Sequence, residues 1–305
     1  MSSPLVSVII PFYNGAKYFE ETLDSVLKQT YPQIEIILIN DGSTNPETDT
    51  FLKNILEKKK SPQIRLYTQM NQGLSETRNR GIEYAQGQFI ALLDQDDLWR
   101  PEKIERQVKQ MQAMPGIGLA YTDCLVHFQH SGKNVVYSRQ VAPHQGFCFP
   151  DLLLENFIVC SSVLIKKSIL DELGHFDKKY KQAEEYDLFL RIARKYSLAY
   201  LSDPLTTYRV HESNSTHGQG LLAQSECREI LRGYLEDLDY SATASMAIAK
   251  TFYVDAKVQL KKRAPIQSFS LLTQLAKTHP LSLGRWLIND LSRVVTKGTH
   301  RNRCF

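Results

Sequence analysis

What most constrains the fold is an alternation in roughly the first hundred residues, where short β-branched runs are each followed by a longer stretch with helical spacing. Leu5–Ile10, Ile34–Ile39, Ile64–Tyr67 and Phe89–Leu93 read as strands, with helices expected near Lys17–Lys28, Asp49–Lys60 and Leu74–Ala85. Such alternation is the pattern of βαβ units on a parallel sheet. Three of the runs are nearly continuous in apolar residues, as strands are when helices cover both faces. A fourth helix should open after Pro101, with Ile104, Val108 and Met111 on one face. From about Gly116 the alternation stops. Strands are expected at Gly118–Thr122, Ser162–Ile165 and Leu205–Val210, with a hairpin-like excursion around Ser131–Gly132 and a helix near Glu184–Tyr196. After Gly218–Gly220 the pattern is helical to the end.

The chain of 305 residues has room for one large α/β domain and a smaller appendage. Residues 1–218 are expected to form the main domain, divided near residue 115, and residues 219–305 a helical region. With 42% hydrophobic and 23% charged residues the composition fits a globular protein and excludes a disordered or fibrous one. A net charge of +4 gives no reason to expect nucleic acid as a partner. Cys124, Cys148, Cys160, Cys227 and Cys304 form no CxxC pair, which argues against structural zinc and a disulfide framework and for a reducing, cytoplasmic setting. The opening MSSPLVSVIIPFYN has no basic region before its short apolar run, so it is not expected to be a signal peptide. No stretch reaches the roughly 20 apolar residues of a membrane-spanning helix.

Chemistry concentrates at the carboxyl ends of the expected strands, where open parallel sheets bind ligands. After Leu92-Leu93 come Asp94, Gln95, Asp96 and Asp97. Carboxylates this close raise one another's pKa unless a cation neutralises them, and Mg²⁺ or Mn²⁺ takes oxygen ligands of this kind. The plainer alternative is a helix cap or a solvated turn. Asn40-Asp41-Gly42-Ser43 closes the second strand, and Pro11-Phe12-Tyr13-Asn14 follows the first, on the same edge. Either could be a simple turn; their value lies in convergence on one crevice. Arg78 and Arg80 lie one turn into a helix that begins near another strand's end, placed either for phosphate recognition or as surface residues paired with Glu76 and Glu83.

These segments resemble the inverting glycosyltransferase family 2, which has the GT-A fold. The resemblance runs from roughly Pro4 to Ser215. It joins Val8-Ile9-Ile10-Pro11-Phe12-Tyr13-Asn14, Asn40-Asp41-Gly42-Ser43, Arg78-Asn79-Arg80-Gly81 and Phe89–Asp97 in the family's order and approximate spacing. Gly174-His175-Phe176-Asp177, Glu184–Arg191 and Tyr208-Arg209-Val210-His211 look like its acceptor-side segments.

The resemblance implies a mainly parallel mixed sheet flanked by helices, a nucleotide-sugar donor, usually a UDP-sugar, and transfer with inversion. Pro11, Tyr13, Asn14 and Asp41 would hold the nucleotide, joined by Arg78 and Asp94. Asp96 would bind Mn²⁺ or Mg²⁺ most directly, with Asp97 supporting the site and His211 approaching the metal or diphosphate. The family's base is generally the second residue of a Glu-Asp pair, a position filled here by Glu185; Asp187 and Glu184 are the other candidates. The acids also suit a helix amino terminus on electrostatic grounds alone.

Beyond about residue 220 the resemblance fades. Leu283, Leu287, Leu291 and Val294 share a face of an expected helix over Leu281–Val295, with Arg285, Arg293 and Lys297 nearby. That face would either pack on its own domain or rest on an anionic membrane surface, on its cytoplasmic side, where a lipid-linked acceptor would lie. The processive members' Gln-x-x-Arg-Trp element is not matched, since Ser282 stands three places before Arg285. Transfer of one sugar per encounter to a saccharide or lipid-linked acceptor is expected, in cell-envelope polysaccharide or glycolipid assembly by family analogy. A nucleotidyltransferase is disfavoured because Pro11-Phe12-Tyr13-Asn14-Gly15 is not a basic, glycine-rich phosphate loop. A dinucleotide oxidoreductase lacks its GxGxxG. A sugar-nucleotide-binding protein without catalysis is the alternative of a different class.

Overall fold

A computed structural model of the chain describes residues 3–214, 219–261, 264–279, 281–284, 286 and 287. These fall into two compact units, one built from residues 3–152 and 156–214, the other from 153–155 and the described residues beyond 218.

The first unit opens with β1 (Val6–Phe12), α1 (Ala16–Leu27), β2 (Ile34–Asp41), α2 (Thr48–Lys59), β3 (Ile64–Gln69), α3 (Leu74–Tyr84) and β4 (Phe89–Leu92). The four strands are parallel in the order β3-β2-β1-β4. β1, β2 and β4 are buried along their whole length, which is why their sequences read as unbroken apolar runs, while β3 at the edge is half-buried. β1 continues past the expected Ile10 through Pro11. On the β4 side its pairing stops at Ile9 with Leu92, so the imide nitrogen of Pro11, which faces that side, displaces no ladder hydrogen bond.

The remaining elements of this unit are β5 (Leu98–Trp99), α4 (Lys103–Ala113), β6 (Ile117–Phe128), β7 (Lys133–Val136), α5 (Phe149–Leu154), a single turn at Cys160–Ser162, β8 (Val163–Lys166), α6 (Lys167–Leu173), α7 (Glu184–Lys195) and β9 (Ser197–Val210). Among the described residues all nine strands join one sheet, along the path β3-β2-β1-β4-β8-β6-β9-β5 with β7 paired to β6. β8 runs antiparallel to both β4 and β6, so the sheet is mixed beyond β4. β6 and β9 are longer than expected. They pair in parallel from Ile117–Ser197 to Phe128–Val210 through register shifts between Ile117 and Cys124, and such irregularity breaks the period-2 alternation that marks a strand in sequence.

The second unit holds α8 (Gly220–Arg232), α9 (Ser241–Lys261) and α10 (Pro265–Thr278), with residues 281–284, 286 and 287 also helical. Ala249, Tyr253, Leu275 and Leu283 form its small core with Phe252, Leu272 and Trp286 packed against it, and Arg228 pairs with a buried Asp255 at 2.6 Å. Leu283 is thus buried in its own unit, while Leu287 is 41% exposed. Leu291, Arg293, Val294 and Lys297, and with them most of the expected amphipathic face, lie outside the described residues. Among the described residues no helix is long and apolar enough to cross a membrane.

α3 lies so close to the sheet that a Cβ on Gly81 would fall 2.4 Å from Ile9 Cγ2. Alanine ordinarily gains about 1 kcal/mol over glycine inside a helix, but overpacking a filled core costs about 1–3 kcal/mol, so the clash should win. Gly81→Ala is expected to lower the melting temperature by a few degrees. An equal or higher midpoint in thermal unfolding would contradict this packing.

Candidate active site

The carboxyl ends of β1, β2 and β4 carry loops that are hydrogen-bonded to one another. Asn14, in the left-handed region at φ 50°, donates its N–H to Ser43 Oγ at 3.0 Å and accepts the N–H groups of Thr44 and Asn45 on its side-chain oxygen. Asn40 Oδ1 in turn accepts from the N–H and hydroxyl of Ser43. Gln95 reaches across from the β4 loop to make a two-point clasp on Tyr13: it accepts the Tyr13 N–H at 2.9 Å and donates to the Tyr13 carbonyl at 3.1 Å. The ring of Tyr13 stands 41% exposed. Pro11 is buried within β1.

Asp41 is buried and turned toward the β3–α3 loop. Its Oδ1 accepts from Gln72 N at 2.8 Å and Gln69 Nε2 at 2.7 Å, and its Oδ2 from Gly73 N at 2.9 Å. Gly42 makes this approach feasible. It sits at φ 64°, and a Cβ there would lie 2.5 Å from Asn71 N.

In the acidic loop the carboxylates have different surroundings. Asp96 Oδ2 lies 2.9 Å from His211 Nε2 and 3.4 Å from Asn214 Nδ2. Burial, reinforced by the charge of Asp94, holds its pKa above the usual carboxylate range. Asp97 is fully buried, and burial pushes it well up, with Asp96 and Asp94 adding to the effect. Its Oδ1 accepts Arg209 N–H at 2.9 Å, and the Ser161 side chain also favours its charged form. β9 delivers these contacts because β5, directly after the acidic loop, pairs with it at Leu98–Thr207 and Trp99–Thr206. Arg209 also bonds the Asp96 carbonyl and pairs with Glu21 at 2.6 Å.

Arg78 is neither open to a phosphate nor a surface partner of Glu76 or Glu83, the two alternatives its position in the sequence allows. Its side chain is 2% exposed and lies between two carboxylates, with Nη2 2.8 Å from Asp94 Oδ1 and Nη1 2.8 Å from Glu184 Oε1. Asp94 is therefore the more open partner of an ion pair, with its side chain 31% exposed and its backbone N–H given to Ser161 Oγ at 3.1 Å. Arg80 donates to Gln69 Oε1 at 3.1 Å.

The candidate bases on α7 also differ. Asp187 is taken up by Arg191, with Nε and Nη2 each at 2.9 Å. Glu184 is buried against Arg78. Glu185 is half-buried, and removal from water together with the charge of Glu184 raises its carboxyl to about 7, with Arg78 opposing the rise. A carboxylate tuned near neutrality is the kind that serves as a general base.

Gln95, Ser161, Arg209 and Asn214 were not singled out from sequence, although Gln95 sits within the acidic motif and Arg209 two places before His211. Ser161 offered no sequence signal. It precedes a short strand, and its role depends on contacts with Asp94 and Trp99 that lie more than sixty residues away in the chain.

The sheet order, the acidic loop after β4 and the acids at the start of α7 form the frame against which known proteins can be compared. The family model described as glycosyl transferase family 2 matches residues 7–174. The chain belongs to glycosyltransferase family 2. An uncharacterized glycosyltransferase of Rickettsia prowazekii is 30% identical over 300 residues, covering 96% of this chain and 91% of that protein. Glycosyltransferase GlyG of Streptococcus pneumoniae is 30% identical over 228 residues, covering 68% and 71%.

Solved structures share the GT-A fold of this glycosyltransferase. The mannosyltransferase PcManGT of Pyrobaculum calidifontis, in complex with GDP-Man and Mn²⁺, has a TM-score of 0.66 at 18% identity, covering 97% of this chain and 81% of that one. S. aureus TarS 1–349 in complex with UDP-GlcNAc has a TM-score of 0.64 at 19% identity, covering 82% and 72%.

The Gln95 clasp leaves no room above Gly15, where a Cβ would meet Gln95 Oε1 at 2.0 Å. Gly15→Ala should therefore displace a flexible side chain at small cost to folding while undoing both hydrogen bonds to Tyr13. Losing about 1–2 kcal/mol of loop order should speed amide hydrogen exchange at Tyr13 about five- to thirty-fold with little change in melting temperature. Unchanged exchange at Tyr13 in Gly15→Ala would show that the clasp does not order this loop.

Proposed function

We propose that this glycosyltransferase moves a single sugar from a nucleotide-sugar donor, a UDP-sugar, to an acceptor hydroxyl with inversion at the anomeric carbon. One observation carries the reading: the buried Arg78 bridges Asp94 of the acidic loop and Glu184 of α7, each at 2.8 Å, which sets Glu185, the next residue, beside that loop. A proton acceptor and an anionic loop fit for a cation thus share one crevice.

Pro11, Tyr13, Asn14 and Asp41 are assigned to the nucleotide, with Asp94 toward the ribose. Arg78 orders Asp94 from behind. The donor class agrees with the UDP-GlcNAc and GDP-Man named for the structural neighbours.

A divalent cation fits the residues present. The charge of Asp96 is disfavoured by burial and by Asp94, and that of Asp97 by burial and by both Asp96 and Asp94. Among those residues no three His, Cys, Asp or Glu side chains form a ready cage. Mg²⁺-type sites use one or two carboxylates and complete the shell with water and phosphate. Asp96 and, more weakly, His211 would hold Mn²⁺ or Mg²⁺, with Asp97 in support. When bound, such an ion stabilises negative charge on a departing diphosphate.

The chain's own groups then perform one displacement. Glu185 removes the proton of the acceptor hydroxyl as its oxygen bonds to the anomeric carbon. The bond from that carbon to the diphosphate oxygen breaks on the opposite face, and UDP leaves. Glutamate is one methylene longer than the family's aspartate, so its carboxylate reaches further from the backbone. Cell-envelope polysaccharide or glycolipid assembly, at the cytoplasmic face of a membrane, is the setting the family analogy supports.

The test is turnover of UDP-N-acetylglucosamine, UDP-glucose and GDP-mannose with Mn²⁺ and water as acceptor, followed by proton NMR. The first sugar released from an α-linked donor should be the β anomer. A base must be ionised to act, so the rate should rise with pH through about 7 and level above it. Glu185→Gln should lose about a hundredfold or more above pH 7 and no longer show the rise through about 7. Release of the α anomer, or turnover in Glu185→Gln that matches the wild type, would overturn the mechanism.

A further inference from the structure

α3 presents one polar stripe to the segment that leads into α7, and each turn of it makes a grip. Ser75 Oγ donates to the Tyr180 carbonyl at 3.1 Å. Asn79 makes a reciprocal pair with Phe176, donating Nδ2 to its carbonyl and accepting its N–H, both at 2.9 Å. Between them Arg78 reaches Glu184, the first residue of α7, while its other nitrogen holds Asp94. Its guanidinium carbon also lies 5.3 Å from the centre of the Phe176 ring. Residues 75, 78 and 79 follow the i, i+3, i+4 spacing of one helix face, so a single rigid element fixes the entry to α7 at three places.

We propose that Arg78 is a positioning residue that ties the first turn of α7, and with it Glu185, to the Asp94 loop, and that its charge keeps Glu185 usable as a base. This rests on the assignment of Glu185 as base made above. Both partners of Arg78 are carboxylates at hydrogen-bond distance from a guanidinium almost wholly removed from water. An arginine cannot discharge itself under these conditions, so the bridge is a permanent positive charge set among acids. Glu184 and Asp94 both push the Glu185 carboxyl up, and Arg78 pulls it down. Without the arginine, Glu184 and Asp94 would face Glu185 with only the hydrogen bond of the Cys160 side chain, among the described residues, still favouring its ionised form. Asn79 and Ser75 share the geometric task without sharing the electrostatic one.

The signs of the expected shifts separate this role from scaffolding. In the donor hydrolysis assay, Arg78→Met should move the acid limb of the kcat profile upward by about one pH unit or more. Its defect would then be larger at pH 6 than at pH 9. Glu184→Gln, which is isosteric and removes a neighbouring negative charge, should move the limb downward. Asn79→Ala loosens the same segment with no change of charge, so it should lower kcat or the melting temperature and leave the limb in place. Should Arg78→Met fail to fold by circular dichroism, Glu184→Gln and Asn79→Ala carry the test. An unshifted limb in a folded Arg78→Met variant, or equal shifts in Glu184→Gln and Asn79→Ala, would overturn the proposal while leaving Glu185 as base. An active Glu185→Gln would remove the base assignment, and this proposal with it.

Discussion

Five carboxylates, Asp94, Asp96, Asp97, Glu184 and Glu185, are gathered near the carboxyl edge of the sheet, and the protein has to hold them there without dispersing them. Burial of Asp97 and Glu184 would be costly if their charges stood alone. The structure offsets the cost with two buried arginines. Arg78 takes Asp94 and Glu184, and Arg209 takes the backbone of the acidic loop and gives its N–H to Asp97. What is left uncompensated is local and uneven. Asp96 and Asp97 stay hard to ionise, and Glu185 sits near neutrality, so carboxylates of unequal proton affinity share one edge.

The sheet makes this arrangement reachable. Parallel strands β1, β2 and β4 end on the same edge, and their loops are bonded to one another rather than left to solvent. The reversal at β8 and the parallel pairing of β6 with β9 then bring the chain back, so that Arg209, His211 and Asn214 arrive beside Asp96 and Asp97 from more than a hundred residues away. Local backbone choices serve the same end: glycine at 42 and 15 where a side chain would collide, and asparagine at 14 where the left-handed region is needed.

Strands β1, β2 and β4 were legible because burial on both faces leaves a continuous apolar run, and α7 because its apolar stripe is strong. β5 was not, since two residues carry no periodicity, and β9 was recognised only in its second half because register shifts interrupt its alternation. The acidic loop could be found from composition and place alone. Its partners could not. That Arg78 would be shut between carboxylates, rather than open to a phosphate, follows from the approach of α7 to α3, a contact between residues 106 apart in sequence. The same applies to the choice among Glu184, Glu185 and Asp187. All three stand in one helical turn: Asp187 is claimed by Arg191 one turn on in the same helix, an i,i+4 pair, whereas only the tertiary neighbour Arg78 separates Glu184 from Glu185.

The central claim is that the edge formed by these loops binds a nucleotide diphosphate together with a divalent cation held by Asp96. Calorimetric titration of the wild-type protein and of Asp96→Ala with UDP, each with and without Mn²⁺, tests it most directly. Binding that requires Mn²⁺ in the wild type and is lost in the variant is the predicted result; UDP binding indifferent to both the ion and Asp96, or no binding at all, would contradict it.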